Sequence, residues 1–317
     1  MLSIVMPTYN KPMHLAMSLK SFSEQDVAKL EYEIIVVDDG SDMSIMPIIE
    51  QYSDALQIQY TKVSKMGRAG ARNIGIDMAK GDIIVFSDDD TIVEPNFVRQ
   101  HKASHENNVN AIVLGKRKRL YIGNKNIEKE YEDWGGCSRV VQKNIVRNDS
   151  YEVLSRKIFS DQSKTCIYSV PWICSITANM SIEKKLLIDI GKFDSEFKGW
   201  GVEDIELGYR LYQKGYIFWY YDNIINYHIE HHRDASKMNE ELLENMRRFL
   251  NKHKDCNIVK YWEFLTGKIT LRELIQEIQL REEKCTIDIE KIPDEKIKFF
   301  TGIFKIIPTN NTLHKFF

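Results

Sequence analysis

The first hundred residues alternate short apolar segments with segments in which apolar residues recur at helical spacing. This alternation restricts the fold, because strands joined by helices pair in parallel and bury both faces of their sheet. The predicted strands are residues 2–6, 32–37, 58–62 and 82–87. We therefore predict an α/β fold, Rossmann-like, with a mixed, mostly parallel sheet flanked by helices.

The segments between these strands carry helix signals. Asn10 is predicted to cap the first helix, since its side chain can accept from an unpaired N–H and Pro12 needs no partner in the first turn. Residues 45–53 and 67–81 are predicted to form the next two helices, the latter opened by a glycine-rich stretch.

Three of the predicted strands end in polar turns, at residues 8–10 (Thr-Tyr-Asn), 38–39 (Asp-Asp) and 88–90 (Asp-Asp-Asp). Ligands of such sheets bind at the carboxyl ends of the strands, so we expect these side chains to form one ligand site. Clustered carboxylates repel each other unless a cation lies among them, and oxygen ligands suit Mg²⁺ or Mn²⁺ beside phosphate groups. For the acidic run, a simple turn is the alternative.

Residues 199–207 (Gly-Trp-Gly-Val-Glu-Asp-Ile-Glu-Leu) combine a sharp turn with the start of a helix. The helix dipole favours Glu203 and Asp204 in a first turn, which is the purely structural explanation. That explanation does not account for the two glycines around Trp200. A carboxylate beside an aromatic platform is typical of a base that activates a sugar hydroxyl, with the dipole and burial acting on its pKa in opposite directions.

Three histidines occur within five residues, at 228, 231 and 232. His228 and His231 could bind one metal ion as neutral imidazoles, with a phosphate contact as the alternative. No further Cys or His lies at the short spacing that a zinc site needs.

The middle of the chain, residues 116–170, is polar and is predicted to be irregular. It begins with the basic run 116–119 (Lys-Arg-Lys-Arg), for which a solvated loop is the favoured interpretation and a phosphate or acceptor contact the alternative. From about residue 234 the composition predicts a helical extension with an apolar face formed by Leu242, Met246, Phe249 and Leu250. Residues 299–317 are apolar and basic, and a helix packed on the main domain is favoured there over a membrane contact.

Charge and cysteine content exclude several classes of protein. The 44 basic and 46 acidic side chains nearly cancel, so we expect no nucleic-acid partner. No apolar run approaches the roughly 18 residues of a membrane span, and the N-terminus does not resemble a signal peptide. Five dispersed cysteines without a Cys-x-x-Cys pair favour reduced thiols, and we expect a cytoplasmic protein.

Several motifs, taken in order, resemble a known family. Residues 7–10 (Pro-Thr-Tyr-Asn), 36–41 (Val-Val-Asp-Asp-Gly-Ser), 71–75 (Ala-Arg-Asn-x-Gly) and 86–95 (Phe-Ser-Asp-Asp-Asp-x₄-Pro) resemble family-2 nucleotide-sugar glycosyltransferases of the GT-A fold. Residues 179–207 resemble the acceptor half of galactosyl- and N-acetylgalactosaminyltransferases. The resemblance covers about residues 1–234.

The resemblance implies a domain division and a set of site residues. Residues 1–115 would be the nucleotide-sugar half and residues 170–234 the acceptor half of one GT-A domain, followed by the extension 235–317. Asp204 would be the general base, with Glu203 beside it. Asp90, His231, Asp88 and His228 would hold Mn²⁺ or Mg²⁺. The implied nucleotide-sugar contacts are Pro7, Thr8, Tyr9, Asn10, Asp38, Asp39, Arg68, Asp88, Asp89 and Trp200.

The activity implied by the resemblance is metal-dependent, inverting transfer of a hexose or N-acetylhexosamine (Gal, GalNAc, Glc or GlcNAc) from a UDP-sugar to a hydroxyl. Retaining polypeptide N-acetylgalactosaminyltransferases usually place Asn where this chain has Asp204, which favours the inverting branch. Two departures from the family pattern are Thr91, where many members carry a further Asp, and Val202, where Gly is common.

Three alternatives remain. One is a catalytically silent module that binds a glycan or a partner protein, and another is a retaining transferase acting on a peptide or small molecule. A dinucleotide-binding oxidoreductase is disfavoured, because Gly67-x-x-Gly70 lacks the Gly-x-Gly-x-x-Gly spacing. The acceptor is expected to be a glycan or glycolipid. The basic run and the C-terminal segment favour a lipid-linked acceptor at a membrane surface. The sequence leaves peripheral contact with the inner face of a membrane and a homodimer open.

Overall fold

The computed structural model describes residues 1–122, 126–159, 166, 168–232 and 234–282. Nine strands in these residues form one mixed sheet: β1 (Leu2–Thr8), β2 (Tyr32–Asp38), β3 (Ile58–Lys62), β4 (Ile83–Phe86), β5 (Thr91–Val93), β6 (Ala111–Tyr121), β7 (Ile145–Asn148), β8 (Met180–Glu183) and β9 (Ile217–Ile229). The α-helices are α1 (Pro12–Phe22), α2 (Met46–Tyr52), α3 (Arg68–Met78), α4 (Phe97–Glu106), α5 (Ile127–Glu132), α6 (Cys137–Lys143), α7 (Ser150–Ile158), α8 (Lys184–Asp189), α9 (Glu203–Gln213), α10 (Ala235–His253), α11 (Cys256–Leu265) and α12 (Leu271–Glu282).

The sheet has a parallel half and a mixed half. Its strand order is β3-β2-β1-β4-β8-β6-β9-β5, with β7 paired to β6. The first four strands in this order are parallel, and β6 is parallel to β9, whereas β8, β5 and β7 pair antiparallel to their neighbours. The prediction of a mixed α/β sheet flanked by helices is confirmed.

Alternating residues of β1 and β2 face two separate layers of helices. Val5 and Ile35 contribute to a core shared with α3, α9 and the C-terminal helices, whereas Ile4 and Ile34 contribute to a core shared with α1, α2 and α4. Both faces of the central strands are therefore apolar, as expected for parallel strands with helices on each side. Because β1, β2 and β4 run parallel, their carboxyl ends lie along one edge of the sheet.

The segment 116–170 is more regular than its composition predicted. β6 runs through the basic run, so the prediction of a solvated loop for residues 116–119 is wrong, and α5, α6, β7 and α7 follow it. The strand forms because β9 pairs with it over residues 116–120 and β7 over residues 118–121. The charged side chains of this part of β6 give no apolar alternation, so hydrophobic periodicity does not predict a strand here.

The predicted cap of α1 is also wrong. Lys11, not Asn10, lies at the N-terminal end of this helix, which begins at Pro12. The side-chain amide of Asn10 pairs instead with Asp42, accepting from its main-chain N–H at 2.8 Å and donating to its carboxylate at 2.8 Å. Asn10 has φ of +53°, a conformation that Asn tolerates better than most residues. The side chain of Asn10 therefore binds the loop after β2 instead of capping α1.

The three C-terminal helices pack into the core that contains α3 and α9. The predicted apolar face of α10, formed by Leu242, Met246, Phe249 and Leu250, is buried there. The prediction of a helical tail is confirmed for residues 235–282, and the apolar and basic segment 299–317 lies outside the described residues. No helix in the described part of the chain combines the length and apolar character that a membrane crossing requires.

A buried carboxylate, Glu206 of α9, joins this helix to α10. It accepts hydrogen bonds from Arg210 Nε at 2.9 Å and lies 2.8 Å from Nε2 of His253 and 2.9 Å from Nζ of Lys252. Burial alone would raise the pKa of Glu206, but these contacts hold it at about 2. The charge is therefore present in the folded protein across the ordinary pH range.

Replacing Glu206 by glutamine is expected to lower the free energy of unfolding by about 3 kcal/mol at pH 7, because it removes one partner of a buried ion pair. A pKa that is depressed on folding adds stability above the unfolded value near 4.5, and this stability is lost as the pH falls toward 2. Urea unfolding of both proteins should show the difference shrinking over that range. The exposed pair Glu244 and Arg247 supplies the control, since Glu244→Gln should change little. A difference that stays constant down to pH 3 would contradict the assignment.

Candidate active site

The carboxyl ends of β1 and β4 open into a cavity of about 610 Å³, a volume typical of pockets that hold small ligands. Residues of the first turns of α9 and α10 also line it. Twelve of the residues predicted as site residues line this cavity: Pro7, Thr8, Tyr9, Asp39, Arg68, Asp88, Asp89, Asp90, Trp200, Glu203, Asp204 and His231. The structure thus brings together residues that are up to 224 positions apart in the sequence.

Asn10, Asp38 and His228 are the predicted site residues that do not line the cavity. Asp38 is buried and accepts a hydrogen bond from the main-chain N–H of Ser41 at 2.7 Å, and Asn10 binds Asp42 as described above. These two side chains shape the loops behind the cavity wall. Their direct contact with a nucleotide stays a prediction.

Asp39 fixes the turn that precedes α3. Its carboxylate accepts from the main-chain N–H of Met66 at 2.7 Å and from that of Gly67 at 3.0 Å. Gly67 has φ of +87°, which glycine adopts without steric cost. Arg68 follows directly and lines the cavity, so Asp39 places the start of α3 beside the ends of β1 and β2.

The three consecutive aspartates have different environments. Thr8 Oγ1 donates to Asp89 Oδ2 at 2.7 Å, and burial raises the pKa of Asp89 to about 6. Burial would also raise the pKa of Asp88, but the guanidinium of Arg72, 3.1 Å away, holds that pKa below its usual value. Asp90 differs from both, because its carboxylate contacts His228 and His231.

Asp90, His228 and His231 form a group whose potential ligand atoms lie within 4.8 Å of one another. The pairing of β5 with β9 sets Thr91 opposite His228, which brings the residue before Thr91 next to this histidine. His228 lies within β9. Asp90 Oδ1 lies 3.3 Å from His228 Nε2, and Asp90 Oδ2 lies 3.0 Å from His231 Nε2.

The outer nitrogens of both imidazoles face oxygen acceptors. Nδ1 of His228 lies 3.2 Å from a carboxylate oxygen of Glu230, and Nδ1 of His231 lies 3.1 Å from the carbonyl oxygen of His232. With a cation bound at Nε2, the proton of each neutral ring would lie on Nδ1, where these acceptors can receive it. Ring orientation by a second partner is typical of histidines that bind metals.

This group fits a divalent cation. Two imidazole lone pairs and a carboxylate that converge on one point repel each other unless a positive charge lies between them. Oδ1 of Asp90 is buried and receives no hydrogen bond from the residues that the structure describes. Mixed imidazole and carboxylate ligands are suitable for Mn²⁺, whereas Mg²⁺ prefers oxygen alone.

Two residues beside this group were missed by the sequence reasoning. Lys11 Nζ lies 2.5 Å from Asp90 Oδ2 and 2.9 Å from His231 Nε2. The ring of His14 packs edge-on against His231, and burial lowers the pKa of His14 to about 4. Both residues follow the predicted turn at residues 8–10 by less than two helical turns. This closeness in sequence is the signal that could have identified them as site residues.

The loop at residues 199–202 has an unusual backbone. Gly199, Gly201 and Val202 have φ of +70°, +106° and +60°, and the sharp turn predicted from the two glycines is confirmed. A β-branched residue with positive φ is strained, so Val202 is held there by its surroundings. Glu241 of α10 accepts from the main-chain N–H of Trp200 at 2.9 Å. The C-terminal helices thereby fix the loop that carries the aromatic platform.

Asp204 and Glu203 differ sharply in their contacts. Burial, with the charge of Glu203 beside it, raises the pKa of Asp204 to about 7. Glu203 instead accepts a hydrogen bond from Arg72 at 2.9 Å, and Arg72 also binds Asp88. A carboxyl group with a pKa near neutrality is suited to proton transfer, whereas the carboxylate of Glu203 is engaged by a buried guanidinium.

The basic run also reaches the site. Arg117 and Arg119 line the cavity from β6, and both face Asp149, whose Oδ2 lies 3.1 Å from Nε of Arg119. These arginines carry charge at the wall between the aspartates of residues 88–90 and α7. The contact with phosphate or acceptor that the sequence offered as an alternative remains a prediction.

Two family models match the chain. Residues 3–168 match glycosyl transferase family 2, and residues 158–233 match the N-terminal domain of galactosyltransferase. The first match covers just over half of the chain, so the protein belongs to glycosyl transferase family 2. The two matches also confirm the resemblance that the ordered motifs predicted.

Individual relatives extend this comparison. An uncharacterised glycosyltransferase of Bacillus subtilis, YfnE, is 28% identical over 265 residues, covering 75% of this chain and 67% of the relative. Hyaluronan synthase of Pasteurella multocida is 31% identical over 242 residues, covering 72% of this chain. The chain spans only 24% of that synthase and 59% of the validoxylamine A glucosyltransferase of Streptomyces hygroscopicus subsp. limoneus.

Solved structures share the fold at low sequence identity. GalNAc-T7 with UDP, GalNAc and Mn²⁺ superposes with a TM-score of 0.59 at 15% identity, covering 79% of this chain and 47% of the other. Residues 1–349 of TarS from Staphylococcus aureus, in complex with UDP, superpose with a TM-score of 0.57 at 20% identity. That match covers 88% of this chain and 78% of the other.

Proposed function

We propose that this protein is a metal-dependent, inverting glycosyltransferase that moves a hexose or N-acetylhexosamine from a UDP-sugar to a hydroxyl acceptor. The observation that carries the proposal is the position of Asp204, with its raised pKa, in the same cavity as the three aspartates at the end of β4. UDP as the nucleotide is supported by the UDP complexes of GalNAc-T7 and TarS, which share the fold.

The transfer would proceed in one displacement. Asp204 takes the proton of the acceptor hydroxyl while the hydroxyl oxygen forms a bond to the anomeric carbon. The bond between the anomeric carbon and the diphosphate oxygen breaks, and its electron pair leaves with UDP. Attack from the face opposite the leaving group inverts the configuration, as a single displacement requires.

The remaining groups bind and orient the two substrates. Trp200 offers a flat apolar face beside the base, and sugars commonly lie against such faces. Glu203 is proposed to position Arg72 and Asp88 rather than to touch the acceptor, because its carboxylate is already bound to Arg72. Arg68, Asp39 and the turn at residues 8–10 are proposed to hold the nucleotide.

Asp90, His228 and His231 would hold the divalent ion, with Asp88 toward the nucleotide. When bound, the ion would offset the negative charge that develops on the leaving diphosphate. The division into a catalytic domain of residues 1–234 and an extension is likewise part of the proposal. In this proposal α10 and α11 act on the acceptor side, because Met238, Leu242 and Tyr261 line the same cavity as Asp204.

A screen of UDP-sugars for Mn²⁺-dependent release of UDP is expected to identify one preferred donor, since a transferase hydrolyses its donor slowly when no acceptor is present. Acceptor trials with glycans and glycolipids would then use that donor. UDP-sugar binding without any UDP release would favour the silent binding module. A product that keeps the donor's anomeric configuration would instead favour a retaining transferase.

A further inference from the structure

Lys11 places a positive charge inside the proposed metal centre. Its ammonium lies 2.5 Å from Asp90 Oδ2, 2.9 Å from His231 Nε2 and 3.6 Å from Asp89 Oδ1. Two of the three residues that would hold the ion are therefore in contact with this side chain. Asp90 is almost fully buried, whereas 26% of the Lys11 side chain is exposed, so the lysine reaches in from the open side of the cavity.

The ammonium and a divalent ion cannot occupy this place together. Both use the same carboxylate oxygen of Asp90 and the same imidazole nitrogen of His231. An ion bound to these atoms at about 2 Å would lie within about 3–4 Å of the ammonium, where two positive charges repel strongly in a partly buried site. A protonated lysine has no lone pair, so it cannot serve as a ligand itself.

We propose that Lys11 is the resident counter-cation of this centre and that a divalent ion must displace it to bind. The inference rests on the proposed function, because it requires Asp90 and His231 to be metal ligands. Lys11 precedes α1 and carries a flexible four-carbon side chain, so it can leave without unfolding the helix. The diphosphate of a bound donor offers the displaced ammonium a new anionic partner.

Two consequences follow for the metal affinity of the protein. Without nucleotide, binding of Mn²⁺ is weakened by the cost of removing the ammonium from Asp90. With UDP present, part of this cost is recovered, so metal and nucleotide strengthen each other's binding. Replacement of Lys11 by an uncharged residue raises the affinity for Mn²⁺ in the absence of nucleotide. It also removes the part of the coupling between Mn²⁺ and UDP that comes from the lysine.

The test is a titration of the full chain with Mn²⁺ in the absence of nucleotide. Binding is measured from the electron paramagnetic resonance signal of the Mn²⁺ that remains free. Lys11→Met is expected to bind Mn²⁺ at least about tenfold more tightly than the unsubstituted protein, because it removes a competing charge. Lys237→Met is the matched control: Lys237 also lines the cavity, but its side chain is 70% exposed and its partner Glu241 lies 4.0 Å away. This control is expected to leave the affinity unchanged.

Thermal unfolding with and without Mn²⁺ distinguishes a change in metal affinity from a loss of stability in the variant. Lys11→Met and Lys11→Gln are each expected to show a larger rise in Tm on addition of Mn²⁺ than the unsubstituted protein. Equal or weaker Mn²⁺ binding by folded variants would overturn the inference, as would the absence of Mn²⁺ binding in all proteins. The donor screen decides the proposed function separately, because UDP release is measured with the unsubstituted chain.

Discussion

Asp204→Asn is expected to lower the rate of sugar transfer by about 10²–10⁴-fold, because a general base of this kind contributes that much to catalysis. Asparagine has nearly the same shape, so UDP binding measured by calorimetry should remain close to that of the unsubstituted protein. The measurement is the initial rate of transfer with the preferred donor and acceptor. An Asp204→Asn protein that transfers sugar at the normal rate would remove Asp204 from the mechanism.

The same residue gives a pH dependence with a definite sign. Asp204 must be deprotonated to accept the hydroxyl proton, and burial raises its pKa to about 7. The rate at low acceptor concentration is therefore expected to increase as the pH rises to about 7 and to level off above it. Glu240→Gln is the control for the loss of one negative charge, since Glu240 is exposed on α10 and lies outside the cavity lining. Its pH profile should match that of the unsubstituted protein.

Asp90→Ala is expected to abolish the part of UDP binding that depends on Mn²⁺. Loss of an outer partner of a metal ligand typically lowers metal affinity by about 10–100-fold, and loss of the ligand itself should cost more. Asp90 is the one carboxylate that contacts both His228 and His231, so no neighbouring side chain of the described site replaces it. Calorimetry of UDP binding with Mn²⁺ and with a chelator separates the two components.

The substitution also leaves Lys11 without its carboxylate partner, so folding of the variant must be checked by circular dichroism. Binding of UDP in the presence of chelator should not fall, because the nucleotide contacts proposed at residues 8–10 and at Arg68 do not involve Asp90 and the freed ammonium of Lys11 can contact the diphosphate. Asp133→Ala, at an exposed position, is the matched control. Unchanged Mn²⁺-dependent affinity in a folded Asp90→Ala protein would exclude Asp90 as a ligand.

The parallel half of the sheet could be predicted because its strands are short, apolar and buried on both faces. β3 was predicted at its observed bounds, and the carboxyl ends of β1, β2 and β4 were correctly expected to meet at one edge. From the sequence alone, this rule of parallel sheets places Thr8, Asp39 and Asp88 in one site. The histidines were recognised as a cluster from their spacing alone.

The remaining features depend on contacts between distant segments. The charged stretch of β6 is a strand only because β9 and β7 pair with it, and no pattern in its own residues reveals that. Lys11 acquires its role from Asp90 and His231, which are 79 and 220 residues away. The raised pKa of Asp204 likewise follows from burial within the assembled cavity, where the sequence left two opposing effects undecided.

Arg72 has a consequence for the construction of chimaeras. It lies in the region matched by the family-2 model, whereas its partner Glu203 lies in the region matched by the galactosyltransferase model. An acceptor segment grafted from a relative without an acidic residue at this position would leave the buried guanidinium with one of its two carboxylates missing. The halves are therefore not interchangeable modules, and a successful graft has to carry this charge pair across the junction as a unit.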